Sequence, residues 1–120
     1  MKKAFLFPGQ GSQFIGMGKE LASQFEVAKD VFSEVDEALG EKLSALMFRG
    51  DIEELTLTKN AQPAIMAVSI AILRVMSFNG LDLKTIDLLA GHSLGEYSAL
   101  CASGVISLRD TAIILRKRGI

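Results

Sequence analysis

The segment LLAGHSLGEYSAL, residues 88–100, places a serine between two glycines where an apolar run gives way to a helix-like pattern. Gly91, Ser93 and Gly95 fit the pattern GxSxG, in which a strand turns sharply into a helix and exposes the serine hydroxyl at the helix N-terminus. The two glycines are needed because such a turn crowds the backbone. The pattern therefore predicts a strand, a tight turn and a helix, with Ser93 as a candidate nucleophile. The alternative interpretation is an ordinary loop.

Two short apolar runs, at residues 3–7 and 86–90, predict buried strands. Strands that alternate with helices indicate an α/β fold with a short parallel sheet, although two strands are too few for a complete one. Periodicity and capping residues predict six helices. The first three are one over 18–39 ended by Gly40, one over 42–48, and one opened by Asp51 and Glu54. The last three are a long one capped by Asn60, with Pro63 in its first turn and Asn79 and Gly80 at its end, one over 94–104 with Gly104 as C-cap, and one capped by Ser107 and Asp110 that runs to Arg118.

Composition excludes several classes of protein. The 13 basic and 14 acidic residues nearly cancel, so the chain lacks the overall field that attracts nucleic acid or an anionic membrane. A single cysteine, Cys101, allows no disulfide framework, which favours a reducing cytoplasm. With a single histidine, His92, besides that cysteine, the sequence predicts no metal site. Cys101 is expected to be a small core residue. The apolar run at 64–78 is interrupted by Ser69 and Arg74 and predicts a buried helix, not a membrane span.

The loop GQGSQF, residues 9–14, is glycine-rich but matches neither common phosphate-binding motif. A dinucleotide fingerprint needs a third glycine where Phe14 stands. A P-loop needs a lysine after its last glycine, whereas Gly16 is followed by Met17. What the residues alone support is a tight turn with positive φ.

Four motifs in order along the chain, FPGQGSQ, TKNAQPA, GHSLGEYSAL and RKRG, resemble the malonyl-CoA:acyl carrier protein transacylase family and the acyltransferase domains of fatty acid and polyketide synthases. The resemblance implies an α/β-hydrolase-like large subdomain. Residues 1–120 would be its N-terminal portion, incomplete without the ferredoxin-like subdomain and the C-terminal part. Because Met1 lies close to the first motif, the chain looks like the stand-alone bacterial enzyme, which implies a cytoplasmic monomer that acts in fatty acid biosynthesis.

The resemblance also implies a role for individual residues. Ser93 would carry a malonyl group, as an ester, from coenzyme A to the phosphopantetheine thiol of acyl carrier protein. No cofactor is implied, since the coenzyme A thioester is a substrate. The other implied site residues are the backbone N–H groups of Gln10 and Leu94 as oxyanion hole, Arg118 as the clamp for malonate's free carboxylate, Gln62 as a pocket residue, and Gly91 and Gly95 as the elbow glycines.

The family's histidine base lies far downstream of Ile120, so the chain alone is expected to be nearly inactive. His92 is not expected to replace that base, because a residue adjacent to the elbow serine projects elsewhere. Two alternatives remain: a serine hydrolase of the thioesterase or lipase type with the same elbow, or a non-catalytic α/β binding module. Arg118 discriminates against a lipase, which has no use for a cation facing its acyl pocket. The basic cluster Arg109, Arg116, Lys117 and Arg118 would either complement the helix dipole or contact the acidic carrier protein.

Overall fold

The computed structural model describes residues 4–86, 88–91 and 93–120. Strands β1 (Ala4–Phe7) and β2 (Leu88–Gly91) pair in parallel, with Phe7 opposite Gly91. The predicted α/β class with a short parallel sheet is therefore confirmed. A 3₁₀ turn, Leu83–Thr85, precedes β2, and the described residues also form seven helices: α1 (Lys19–Gln24), α2 (Glu26–Leu39), α3 (Leu43–Arg49), α4 (Ile52–Thr56), α5 (Thr58–Phe78), α6 (Leu94–Ala102) and α7 (Leu108–Arg118).

Helix α5 is the centre of the molecule and packs against α2, α6 and α7. Its buried residues include Ala61, Ala64, Met66 and Ala67, whose small or flexible side chains let neighbouring helices approach closely. By length and composition α5 could cross a membrane, but 67% of its most apolar window is buried inside the protein. The sequence prediction of a buried core helix agrees with this packing.

The two faces of the sheet differ in how well they are covered. Phe5, Phe7 and Leu89 lie on one face and pack with Leu73 of α5 and residues of α6. On the other face Leu6 is 78% exposed and Leu88 is 54% exposed. The prediction of buried strands is thus wrong for this second face, because no described element packs over it. Parallel sheets are usually covered on both faces.

The predicted single helix over 18–39 is two helices. Phe25 adopts an extended conformation (φ −129°, ψ 118°) that ends α1 and begins α2. Its side chain is partly buried against the main core. No glycine or proline lies at this break, so local backbone preference does not mark it in the sequence. The contact that accompanies the break is the packing of the Phe25 side chain against the core.

The start of the long helix also differs from the prediction. Helix α5 begins at Thr58 after Leu57, so Asn60 lies inside the helix and Pro63 in its second turn. The Asn60 side chain is buried and bonds to other elements, which prevents it from capping its own helix. Helix α6 ends one residue earlier than expected, with Ser103 as C-cap and Gly104 following at φ 86°.

Two predicted caps are confirmed. The Asp51 side chain accepts a hydrogen bond from the Glu54 N–H at the start of α4, at 3.3 Å. The Ser107 hydroxyl accepts one from the Asp110 N–H at the start of α7, at 3.1 Å. Each satisfies a backbone donor that the helix itself leaves unpaired.

Candidate active site

Ser93 lies in the tight turn between β2 and α6, directly before the first residue of the helix. Its backbone angles are φ 55° and ψ −111°, and it is the one non-glycine residue with positive φ among those described. Such a conformation costs about 1–3 kcal/mol and persists where the surrounding structure enforces it. The side chain is exposed at the N-terminal end of α6. Strain and exposure at a helix N-terminus are the geometry of a nucleophile elbow.

Backbone crowding explains both glycines of the motif. A Cβ atom on Gly91 would lie 2.2 Å from the backbone carbonyl of Gly95, and one on Gly95 would lie 2.3 Å from the carbonyl oxygen of Phe7. Real Cβ atoms essentially never come within 3.0 Å of another heavy atom in this way. Glycine at both positions therefore lets α6 pack directly on the ends of β1 and β2.

The loop after β1 lies at the same end of the sheet as the elbow. Because Phe7 pairs with Gly91, Gln10 follows one strand by three residues and Ser93 follows the other by two. Gly11 has φ 110°, so the predicted positive φ in this loop is confirmed. The Gln10 side chain also donates a hydrogen bond to the Thr58 hydroxyl at 3.1 Å. This bond ties the loop to the first turn of α5.

Arg118, the last residue of α7, meets Ser93 directly. Its Nη2 atom donates a hydrogen bond to the Ser93 Oγ atom at 2.8 Å, across 25 residues of sequence. The guanidinium carbon also lies 5.1 Å from the centroid of the Tyr97 ring. The structure thus brings together two residues that the sequence singled out separately. Tyr97 was missed, although it lies only four residues after Ser93, near the start of α6.

The end of α7 is anchored on the start of α5 by contacts that the sequence did not reveal. A Cβ atom on Gly119 would lie 2.4 Å from the Lys59 Cα atom, so only glycine permits this approach. Arg116 donates a hydrogen bond to the Asn60 Oδ1 atom at 2.5 Å, and Asn60 Nδ2 donates to the Glu54 carbonyl at 2.9 Å. These contacts fix the backbone that carries Arg118. The signal available in the sequence was the Arg-Gly pair itself.

Gln62 is also in α5, one helical turn after Thr58, and only 6% of it is exposed. Its Oε1 atom is buried without a hydrogen-bond partner among the described residues. Buried polar atoms are nearly always paired, so this acceptor is an unusual feature. The described contacts do not join Gln62 to Ser93 or Arg118.

Cys101 does not have the properties of a nucleophile. Burial raises the pKa of its thiol, and this effect outweighs the opposing effect of a hydrogen bond with Thr111. The reactive form of cysteine is the thiolate, so this environment suppresses reactivity. The prediction about His92 falls outside the described residues. Among those residues no three metal-ligating side chains lie close enough to share an ion.

An apolar groove of 410 Å³ runs between β1 and α5. Ser93, Arg118 and Gln62 do not line it, although Pro8 and Ser12 of the first loop do. Its exposed apolar residues are Leu6, Phe14, Ile72 and Met76. The groove is therefore distinct from the site built around Ser93.

Residues 4–119 match the family of acyl transferase domains. The chain belongs to that family. It is 60% identical over 118 residues to the malonyl CoA-acyl carrier protein transacylase of Bacillus subtilis, and this match covers 98% of the chain and 36% of that relative. The family suggested by the four motifs is thereby confirmed.

Solved structures of acyl transferase family members superpose closely on this chain. The acyl-carrier-protein S-malonyltransferase of Bartonella henselae superposes with a TM-score of 0.97 at 62% identity, covering 99% of this chain and 38% of that one. A malonyl-transacylase in complex with its type II polyketide synthase acyl carrier protein has a TM-score of 0.93 at 44% identity, covering 99% and 38%. The chain spans little more than a third of the length of these relatives. The roles assigned to the individual site residues stay predictions.

Proposed function

We propose that the protein containing this chain transfers a malonyl group from coenzyme A to the phosphopantetheine thiol of acyl carrier protein, in fatty acid biosynthesis. The observation that carries the proposal is the contact between Arg118 and Ser93, which places a permanent cation 2.8 Å from the candidate nucleophile. The names of the relatives support the same substrate and acceptor. In this proposal residues 1–120 are the N-terminal portion of the large subdomain.

The reaction proceeds in two acyl transfers. The Ser93 Oγ atom attacks the thioester carbonyl while its proton passes to a base. The tetrahedral intermediate then breaks its C–S bond, and the base returns the proton to the leaving sulfur, so that coenzyme A departs as the thiol and malonyl-serine remains. The phosphopantetheine thiol then attacks the ester carbonyl, and the serine hydroxyl is restored as it leaves. In this proposal the base is a histidine downstream of Ile120, as the family resemblance implies.

Backbone N–H groups would stabilise both tetrahedral intermediates. The Leu94 N–H is at the N-terminus of α6, where helix donors are unpaired and the helix dipole favours negative charge. The Gln10 N–H belongs to the loop tied to Thr58, at the same end of the sheet. Two such donors, held before the substrate arrives, would act as an oxyanion hole.

Arg118 would hold the free carboxylate of the malonyl group. A guanidinium stays charged and offers a planar fork of donors that matches a carboxylate. The hydrogen bond that Arg118 donates to Ser93 uses a lone pair of the serine oxygen, so the hydroxyl proton stays free to point toward a base. Gln62, whose buried Oε1 atom has no hydrogen-bond partner among the described residues, is the further pocket residue in this proposal.

We further infer a cytoplasmic monomer that needs no cofactor and binds neither nucleic acid nor membrane. The nearly balanced charge of the chain supports the part of this inference that concerns nucleic acid and anionic membranes. A serine hydrolase would use the same elbow, but the cation beside Ser93 favours a substrate with a free carboxylate.

Replacement of Arg118 tests the proposal in the full-length gene product. A charge-assisted hydrogen bond contributes about 1.5–3 kcal/mol, so Arg118→Ala should lower kcat/KM for malonyl-CoA by roughly 10- to 100-fold. Acetyl-CoA lacks the carboxylate, so its transfer should fall little or rise. Lys117→Ala is the matched control, because it removes one exposed cation from the same helical turn. Equal losses for malonyl and acetyl transfer in Arg118→Ala would contradict carboxylate recognition, and release of free malonate without transfer would favour the hydrolase.

A further inference from the structure

Tyr97 lies beneath the guanidinium of Arg118. The Arg118 Cζ atom is 5.1 Å from the centroid of its ring, within the range of a cation–π contact. Tyr97 follows Ser93 by four residues and lies near the start of α6, so both residues contact Arg118 at the N-terminal end of that helix. The ring is partly buried against the main core cluster. A ring held by packing thus supports a cation that is itself exposed.

The contact restricts Arg118 without using its hydrogen-bond donors. An exposed arginine side chain has many rotamers, and ordering it when a substrate binds reduces affinity. Contact with the face of a ring limits these rotamers but needs no particular N–H. One of the five N–H groups reaches Ser93, and the others remain for a carboxylate.

We infer that Tyr97 is a positioning residue that sets selectivity for acyl groups with a free carboxylate, because its ring holds the Arg118 guanidinium beside Ser93 before the substrate arrives. The inference rests on the proposed function of Arg118. It assigns to Tyr97 an effect on malonyl transfer that acetyl transfer does not share, since only the malonyl group uses the arginine.

The test compares Tyr97→Leu with Tyr97→Phe in the full-length gene product. Leucine keeps an apolar side chain against the core but removes the aromatic face, whereas phenylalanine keeps that face. We expect Tyr97→Leu to lower the ratio of kcat/KM for malonyl-CoA to that for acetyl-CoA about two- to fivefold, or about 0.4–1 kcal/mol. Tyr97→Phe should leave the ratio unchanged.

Two results would overturn the inference. An unchanged malonyl-to-acetyl ratio in Tyr97→Leu would show that the ring does not influence Arg118, and equal losses for both substrates, which also leave the ratio unchanged, would make Tyr97 a packing residue only. A loss of selectivity in Tyr97→Phe as large as that in Tyr97→Leu would assign the effect to the hydroxyl and not to the ring.

Arg118→Ala separates this inference from the proposed function. Where Arg118→Ala lowers the malonyl-to-acetyl ratio, adding Tyr97→Leu to it should lower the ratio no further, because the residue that Tyr97 positions is gone. A further loss in the double variant would overturn the positioning role alone. If Arg118→Ala leaves the ratio unchanged, carboxylate recognition by Arg118 fails, and the role of Tyr97 fails with it.

Discussion

Gly95→Ala tests whether the nucleophile turn depends on close backbone packing. The new Cβ atom would lie 2.3 Å from the Phe7 carbonyl oxygen and 3.2 Å from its carbonyl carbon. The obstacle is backbone in a paired strand, so no side chain can rotate away, and α6 must move off β1. Overpacking costs about 1–3 kcal/mol and more where the structure cannot relax, so we take about 3 kcal/mol here.

Alanine also favours a helix over glycine by about 1 kcal/mol, which offsets part of this cost. The net loss of unfolding free energy should therefore be at least about 2 kcal/mol. Movement of α6 would also displace Ser93, and a shift of about 1 Å can reduce reactivity on the order of a hundredfold. Urea unfolding followed by circular dichroism measures the first effect, and the rate of labelling by a fluorophosphonate measures the second.

Gly40→Ala is the matched control. Gly40 has φ 67° with open space around its missing side chain, so alanine there meets left-handed strain and no clash. That strain costs about 1–2 kcal/mol. Gly95→Ala should destabilise the protein at least as much and should slow Ser93 labelling, which Gly40→Ala should not. A Gly95→Ala protein with unchanged stability and labelling would refute the packing argument.

Two further predictions concern single residues. Ser93→Gly should be more stable than Ser93→Ala by roughly 1 kcal/mol, because glycine relieves the positive φ while alanine keeps it; equal urea midpoints would contradict strain at this turn. Burial raises the pKa of the Cys101 thiol, so the folded protein holds this proton more tightly than the unfolded chain. The resulting stabilisation is present below the unfolded pKa and is lost as pH rises through the folded pKa. The stability difference between the natural protein and Cys101→Ser should thus be constant below the pKa of an ordinary cysteine, about 8.5, and fall as the pH rises above it; a difference that stays flat on both sides of that pH would contradict the prediction.

Features set by a few neighbouring residues could be predicted from the sequence. The clash that glycine avoids at position 91 lies within five consecutive residues, and the caps at Asp51 and Ser107 depend on bonds across three. Such features leave a local pattern of residue types. The glycines flanking Ser93 were identified correctly as positions that must lack a side chain, although the atom that Gly95 must avoid belongs to Phe7 in the other strand.

Features set by distant parts of the chain could not be predicted in the same way. The break at Phe25 depends on burial of its side chain, and the place of Asn60 inside α5 depends on Arg116, 56 residues later. Tyr97 has a role only because α7 ends above its ring. Arg118 itself was found through the family resemblance, since nothing local to RKRG shows that it reaches Ser93.

Ser93 is the proposed carrier of the malonyl group, and its acylation can be measured directly. The full-length gene product should be incubated with malonyl-CoA, quenched in acid, digested and examined by mass spectrometry. We predict one malonyl mass on the peptide that contains Ser93, its disappearance when acyl carrier protein is added, and its absence in Ser93→Ala. An undiminished malonyl adduct in Ser93→Ala, or transfer to acyl carrier protein at the natural rate by that variant, would contradict the account.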